Sequence, residues 1–223
     1  MSVHDGHRER MKNKLLEAGL DAFDDHNVLE LLLFYSMPRK DTNPLAHELF
    51  NHFGSLEAVF EAPADELQKI SGIGENTVAL IKLIPEVCRR YAIDKNRSDN
   101  VLDSAEKAGK FLVPRYLFER DEVVYIICLD AKCKVLCCKE LFRGVANTAE
   151  ISIRKIAELA LAKNAASVII SHNHTSGIAL PSYEDEVTTK RIKSALSSMG
   201  ITLSDHIVVA DDDFISMAES GLM

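Results

Sequence analysis

The sequence predicts two domains, an all-α N-terminal domain and an α/β C-terminal domain. Apolar residues recur at helical spacing through residues 1–91, a polar segment follows at 92–103, and strand-like and helix-like segments alternate after it. The length of 223 residues also exceeds the roughly 100–150 residues of a typical single domain. We therefore predict a helical domain over residues 1–95 and an α/β domain over residues 101–223.

The N-terminal helices follow from apolar spacing and from the signals at their ends. Asn43 is a favourable N-cap and Pro44 a favourable first helical residue. Ser71-Gly72-Ile73-Gly74 separates two helical segments and resembles the turn of a helix-hairpin-helix. The predicted helices cover residues 8–18, 26–35, 44–54, a short segment after Ser55, 64–70 and 76–91.

The second half of the chain alternates between strand and helix patterns. Val123–Leu129 is the longest apolar run and suits a buried strand, while Gly200 is a typical helix stop. We predict helices over 104–117, 151–163 and 184–199. The predicted strands cover 122–130, 135–144, 166–171, 205–210 and 214–216.

Composition excludes several classes of protein. No apolar run approaches the roughly 18 residues of a membrane helix, and the first ten residues contain no signal-peptide apolar region. We therefore expect a cytoplasmic protein with no membrane contact. In a reducing compartment the five cysteines, Cys88, Cys128, Cys133, Cys137 and Cys138, are expected to be buried or half-buried structural thiols.

The strongest chemical signal is a predicted metal site. His172 and His174 are two residues apart at the exit of a strand, so both imidazoles face the same way. Asp185 follows a Gly/Pro loop near the start of the next helix. Two histidines and one carboxylate leave the fourth position of a tetrahedral zinc open, as catalytic zinc sites do.

Two further residues are candidates for the chemistry around the metal. Ser182 lies about one helical turn before Asp185 and can donate a hydrogen bond into the same site, although a helix cap is the simpler interpretation. Glu122 precedes an apolar strand and is the candidate general base, with a solvated strand boundary as the alternative. His206 is expected to be structural.

The spacing over residues 172–185 resembles the JAMM (MPN-plus) metalloprotease motif, which reads His-x-His, seven residues, Ser, two residues, Asp. Glu122 resembles the upstream glutamate of that motif. The stretches Ser-His-Asn-His-Thr-Ser-Gly, Pro-Ser-Tyr-Glu-Asp and Leu-Ser-Asp-His-Ile-Val-Val-Ala, together with His7-Arg8-Glu9-Arg10, are similar to the bacterial RadC family. The resemblance covers nearly the whole chain.

The resemblance implies a cytidine-deaminase-like α/β fold, a bound zinc ion and hydrolysis of a peptide or isopeptide bond in a peptide or protein substrate. His172, His174 and Asp185 would be the zinc ligands, Glu122 the general base for zinc-bound water, and Ser182 the oxyanion donor. The chain departs from the family pattern at Thr175, where proline is usual. It departs again at Lys155, where a glutamate usually follows Arg154.

A second hypothesis is a DNA-associated accessory protein linked to DNA repair, with a vestigial or structural metal site. Weak DNA binding would use the Gly72-Ile73-Gly74 hairpin, because glycines let the backbone approach phosphates. Against this, the net charge is −8, residues 1–95 contain 11 basic and 16 acidic residues, and Glu75 would repel a phosphate. The hairpin would otherwise be a packing or partner-docking module. A third hypothesis is metal-dependent nucleic-acid hydrolysis at the same site.

Overall fold

The computed structural model describes residues 3–95, 100–144 and 152–223, and it divides the chain into two compact units, Met1–Cys88 and Arg89–Met223. The division falls inside one long helix, Glu75–Lys95. The predicted polar segment is therefore helical at its start, and Leu102 near its end is buried. Residues 96–99 in its middle lie outside the described residues.

The first unit is helical, as the sequence predicts. Its elements are α1 (Val3–Ala18), a short 3-10 turn (Leu20–Ala22), α2 (Asp25–Ser36), α3 (Asn43–Phe53), α4 (Leu56–Glu61), α5 (Ala64–Gln68) and most of α6 (Glu75–Lys95). Leu29, Leu49, Leu67 and Ile81, from four different helices, are fully buried in one core. The first unit thus has a hydrophobic core of its own.

The predicted hairpin joins α5 to α6. Gly72 has a φ of 94°, in the left-handed region that is strained for residues with a Cβ atom. Ile73 is buried in the helical core, and the backbone N–H groups of Thr77 and Val78 donate to the carbonyl of Gly74. Gly72 therefore allows the sharp turn, and the buried side chain of Ile73 fixes the turn to the helical core.

The second unit is built on a mixed sheet. Its elements are α7 (Ala105–Tyr116), β1 (Glu122–Leu129), β2 (Val135–Gly144), α8 (Ile153–Ala162), β3 (Ser167–Asn173), α9 (Tyr183–Ser197), β4 (Thr202–Ala210) and β5 (Asp213–Ser216). In the described residues, the strands form one sheet in the order β2-β1-β3-β4-β5. β3 and β4 are parallel, and the other neighbouring pairs are antiparallel.

Successive side chains of a strand point to opposite faces of the sheet, and apolar residues on both faces pack against helices. Val124 and Ile126 of β1 belong to a core cluster with residues of α8 and α9, whereas Val123 and Ile127 belong to a cluster with α7. The predicted fold class, a helical N-terminal region followed by an α/β region, is confirmed.

Several predicted details differ from the structure. β4 begins at Thr202 rather than at residue 205, because its first residues pair with Ser167 and Val168 of β3. The helix predicted from Ile151 begins at Ile153; Ile151 lies outside the described residues, and Ser152 caps the helix. The prediction that all cysteines are buried or half-buried is wrong for Cys88, which is exposed on α6. No helix in the described ranges is long and apolar enough to cross a membrane.

Gly109 provides a test of the packing of α7 against the sheet. A Cβ atom at Gly109 would lie 2.3 Å from the ring of Phe214 on β5. Replacing glycine by alanine inside a helix is usually stabilising by about 0.5–1 kcal/mol. We expect Gly109→Ala instead to lower the free energy of unfolding by about 1–3 kcal/mol, because the Phe214 ring must shift. Urea denaturation measures the change.

Gly6→Ala is the matched control, since Gly6 is also inside a helix and its Cβ atom would meet only the end of the flexible Arg10 side chain, at 3.2 Å. Phe214→Leu combined with Gly109→Ala is expected to recover part of the loss, because the shorter side chain makes room. A Gly109→Ala protein as stable as the original chain would contradict the described packing.

Candidate metal centre

The end of β3 presents two histidines to one face of the sheet. His172 is on the strand and His174 directly follows it, with the backbone N–H of His174 donating to the carbonyl of Val209 on β4 at 2.8 Å. The Nε2 atoms of the two histidines are 3.0 Å apart. Only 5% of His172 is exposed. The predicted convergence of the two imidazoles is therefore present.

Asp185, in the first turn of α9, completes the cluster. Its Oδ1 lies 3.3 Å from Nε2 of His172, and its Oδ2 lies 3.5 Å from Nε2 of His174. The three side chains can offer ligand atoms that all lie within 4.8 Å of one another. Asp185 is 1% exposed, so the carboxylate is held inside the protein.

Ser182 is the N-cap of α9 and forms a capping box with Asp185. The Ser182 hydroxyl accepts from the Asp185 backbone N–H at 3.1 Å. Both the hydroxyl and the backbone N–H of Ser182 donate to Oδ2 of Asp185 at 2.7 Å. The cap therefore holds Oδ2 and leaves Oδ1 directed at His172.

The charges in the cluster favour an ionised carboxylate. Burial opposes ionisation of Asp185. Hydrogen bonds from His172 and His174, when their Nε2 atoms carry a proton, and from Ser182 outweigh it and hold the pKa of the carboxyl well below its usual range. The same contact with Asp185 raises the pKa of His174, with a smaller contribution from the charge of Glu122. Asp185 is therefore a fixed negative charge at neutral pH.

The donor set fits a zinc ion. Nδ1 of His174 lies 3.3 Å from the carbonyl oxygen of Ile178, which can only accept, so in neutral His174 this nitrogen carries the proton and Nε2 has a free lone pair. That lone pair faces Nε2 of His172 and the carboxylate of Asp185. Two imidazole nitrogens and one carboxylate oxygen are the ligand types of catalytic zinc sites.

Glu122 is the first residue of β1, at the same end of the sheet. The pairing of β1 with β3 ends at Val124 and His172, two residues after Glu122, so Glu122 begins β1 beside the two histidines. The side chain of Asn173 extends the pairing, since its Oδ1 accepts from the N–H of Val123 at 2.7 Å and its Nδ2 donates to the carbonyl of Asp121 at 3.0 Å. Asn173 therefore holds the backbone on both sides of Glu122.

Sequence reasoning missed three residues at this site. Asn173 lies between the two histidines and Thr189 lies in an ordinary helical pattern, so neither residue carries a local sequence signal for this site. His206 lies on β4 with Nε2 only 2.9 Å from Nδ1 of His172, so it contacts a candidate ligand rather than serving only the core. The signal that could have revealed His206 is a lone histidine within an otherwise apolar buried strand.

The cysteines lie outside the cluster formed by His172, His174 and Asp185. Cys128 is fully buried and pairs across the sheet with Cys137. Burial, together with neighbouring Cys137, raises the pKa of Cys128 to about 12. A thiol that stays protonated is a poor metal ligand, which agrees with the predicted structural role.

Comparison with known proteins gives matches along most of the chain. Residues 102–222 match the model of the RadC-like JAB domain, and residues 6–79 match the UPF0758 N-terminal model. A UPF0758 protein of Fusobacterium nucleatum is 34% identical, over 98% of this chain and 97% of the relative. UPF0758 proteins of Stutzerimonas stutzeri and Azotobacter vinelandii are each 37% identical over 96% of this chain and 96% and 95% of their own lengths. This chain therefore belongs to the RadC (UPF0758) family, with a RadC-like JAB domain after a helical N-terminal region.

Proposed function

We propose that this protein is a zinc-dependent hydrolase of JAMM type that cleaves a peptide or isopeptide bond. The observation that carries the proposal is the convergence of the His172, His174 and Asp185 ligand atoms within 4.8 Å. These three residues would hold the zinc ion. Bound zinc would act as a Lewis acid, polarising water and the carbonyl of the substrate.

Glu122 is the proposed general base. A carboxylate at this end of the sheet can accept a proton from the attacking water and deliver it to the nitrogen of the leaving amine. Asn173 supports this role, because its two hydrogen bonds fix the backbone at Asp121 and Val123 and so limit where the Glu122 carboxylate can reach.

Ser182 is the proposed hydrogen-bond donor to the developing oxyanion. Its single hydroxyl proton points to Asp185 Oδ2, so this role requires the hydroxyl to turn away during the reaction. The backbone N–H of Ser182 would keep hold of the carboxylate meanwhile. Ser182 can therefore act on the substrate without releasing Asp185.

A polypeptide substrate agrees with the segment between the ligands. Ile178, Leu180 and Tyr183 are 65%, 64% and 75% exposed, and the carbonyl of Ile178 ties this segment to His174. Exposed apolar side chains beside a reaction centre suit contact with a polypeptide better than with a phosphate backbone. We place the activity in the cytoplasm, because five free thiols fit a reducing compartment.

Zinc content tests the metal site. We expect about one zinc ion per chain in protein reconstituted with zinc, measured by elemental analysis, because three ligands and an open position make one site. His172→Ala and Asp185→Asn are expected to lose most of it. His52→Ala, which removes an exposed histidine of the first unit, is the control. A reconstituted original chain without zinc, or full zinc content in His172→Ala, would contradict the proposal.

Glu122→Gln separates catalysis from metal binding. We expect this variant to keep its zinc but to cleave about 10²–10⁴-fold more slowly, because glutamine cannot accept the proton. The assay detects new termini by mass spectrometry in a peptide library that includes isopeptide-linked members. Glu184→Gln, at an exposed carboxylate one residue before Asp185, is the control. Cleavage by Glu122→Gln at the original rate would remove Glu122 as the base.

A second candidate function, DNA association, is favoured by a groove in the first unit. An open cavity of about 680 Å³ is lined by Arg39 and Lys40 together with Gly72 and Gly74 of the hairpin. Arg8 holds the basic loop by donating to the carbonyls of Met37 and Lys40. The fold therefore brings two cations to a hairpin that is followed in sequence by no Lys or Arg until Lys82, although Glu75 also lines the groove.

Duplex DNA binding at 50–200 mM salt tests this candidate. We expect measurable affinity for duplex DNA at low salt. The double variant Arg39→Gln, Lys40→Gln is expected to bind more weakly. Because it loses two phosphate contacts, the slope of log K against log salt should also become shallower by about 1–2. Arg10→Gln with Lys14→Gln is the control, because it removes one Arg and one Lys from α1 at positions that do not line the groove. Fluorescence anisotropy showing no binding at low salt would eliminate DNA association.

A further inference from the structure

A buried chain of polar groups leads from His172 back to the backbone of Asp185. Nδ1 of His172 lies 2.9 Å from Nε2 of His206, and Nδ1 of His206 lies 2.6 Å from Oγ1 of Thr189. Oγ1 of Thr189 in turn donates to the carbonyl of Asp185 at 2.6 Å. All four residues are buried, and His206 and Thr189 are 1% and 0% exposed. No solvent contact is needed to satisfy any of these groups.

The direction of every hydrogen bond in this chain can be assigned from its far end. The Asp185 carbonyl can only accept, so it takes the single hydroxyl proton of Thr189. Sδ of Met217 is the other possible acceptor for this proton, but it lies 3.6 Å from Oγ1 of Thr189 and a thioether sulfur is a weak acceptor. Thr189 must therefore accept from His206, which places the ring proton of His206 on Nδ1.

The assignment then fixes the form of His172. A neutral His206 with its proton on Nδ1 has a lone pair on Nε2, and this lone pair accepts from Nδ1–H of His172. His206 is 1% exposed, and burial away from water disfavours the charged form of an imidazole ring. Nε2 of His172 is left with a free lone pair, facing His174 and Asp185.

We propose that His206 and Thr189 are positioning residues that hold His172 in its Nδ1-protonated form and in its ring orientation. These hydrogen bonds also connect β3 to the first turns of α9 through β4. Two of the three candidate ligands, His172 and Asp185, are therefore held by the same hydrogen-bonded network. The metal-binding part of this inference rests on the proposed function, whereas the protonation pattern of His172 concerns the metal-free protein.

Replacing His206 by glutamine or by leucine is expected to affect zinc affinity differently. A glutamine amide can accept from His172 and donate to Thr189, as His206 does, but leucine can do neither. We expect His206→Leu to weaken zinc binding about 10–100-fold, which is typical for loss of a hydrogen-bond partner of a metal ligand. His206→Gln is expected to stay within a few-fold of the original chain. Thr189→Val is expected to weaken binding to a smaller extent, because Nδ1–H of His206 loses its acceptor.

The experiment combines two measurements on the full chain. Competition with a chromophoric chelator gives the Kd for zinc, and nitrogen-15 NMR of the metal-free protein reports which ring nitrogen of His172 carries the proton. Ser216→Ala is the control. It removes a buried 2.6 Å hydrogen bond from Ser216 to Asp205, the neighbour of His206 on β4, and it does not contact a candidate metal ligand. Its zinc Kd is expected to be unchanged.

The proposal is overturned if folded His206→Leu binds zinc as tightly as the original chain. It is also overturned if His172 in the original metal-free protein carries its proton on Nε2 and not on Nδ1. If His206→Leu does not fold, Thr189→Val carries the same test, because valine preserves the shape of threonine. An original chain that binds no zinc would contradict the proposed function instead, and the NMR result would still decide whether His206 positions His172.

Discussion

The structure depends on one electrostatic constraint, the meeting of Nε2 of His172, Nε2 of His174 and the carboxylate of Asp185 in a largely buried space. Atoms that carry lone pairs repel one another at such distances unless a cation lies among them. The contacts on their outer sides, with Ile178 and Ser182, turn these lone pairs inward. The second unit thus brings together acceptor atoms that could hold a cation.

The sheet and one helix end impose this arrangement. Parallel pairing of β3 with β4 sets His172 beside His206, and antiparallel pairing with β1 brings Glu122 to the same end. The Ser182 cap fixes where α9 begins and therefore where Asp185 points. Helix capping, which usually contributes about 1 kcal/mol of stability, here also orients a candidate ligand.

Much of the candidate metal centre could be predicted from local sequence patterns. The His-x-His pair, Asp185 and Ser182 follow from strand alternation and helix spacing, which act over a few residues. His206 and Asn173 could not be assigned in this way, because their partners at the site depend on strand order and register across the sheet. The basic residues Arg39 and Lys40 likewise reach the hairpin groove only through packing of the first unit, and the extent of α6 through residue 95 was obscured by its polar composition.

X-ray absorption of the zinc-loaded protein tests the central claim most directly, because it reports the atoms bound to the metal. The account predicts a first shell of nitrogen and oxygen at about 2.0–2.1 Å, with the outer-shell scattering of two imidazoles. A sulfur shell at about 2.3 Å would contradict it, since zinc would then be bound by cysteines rather than by His172, His174 and Asp185.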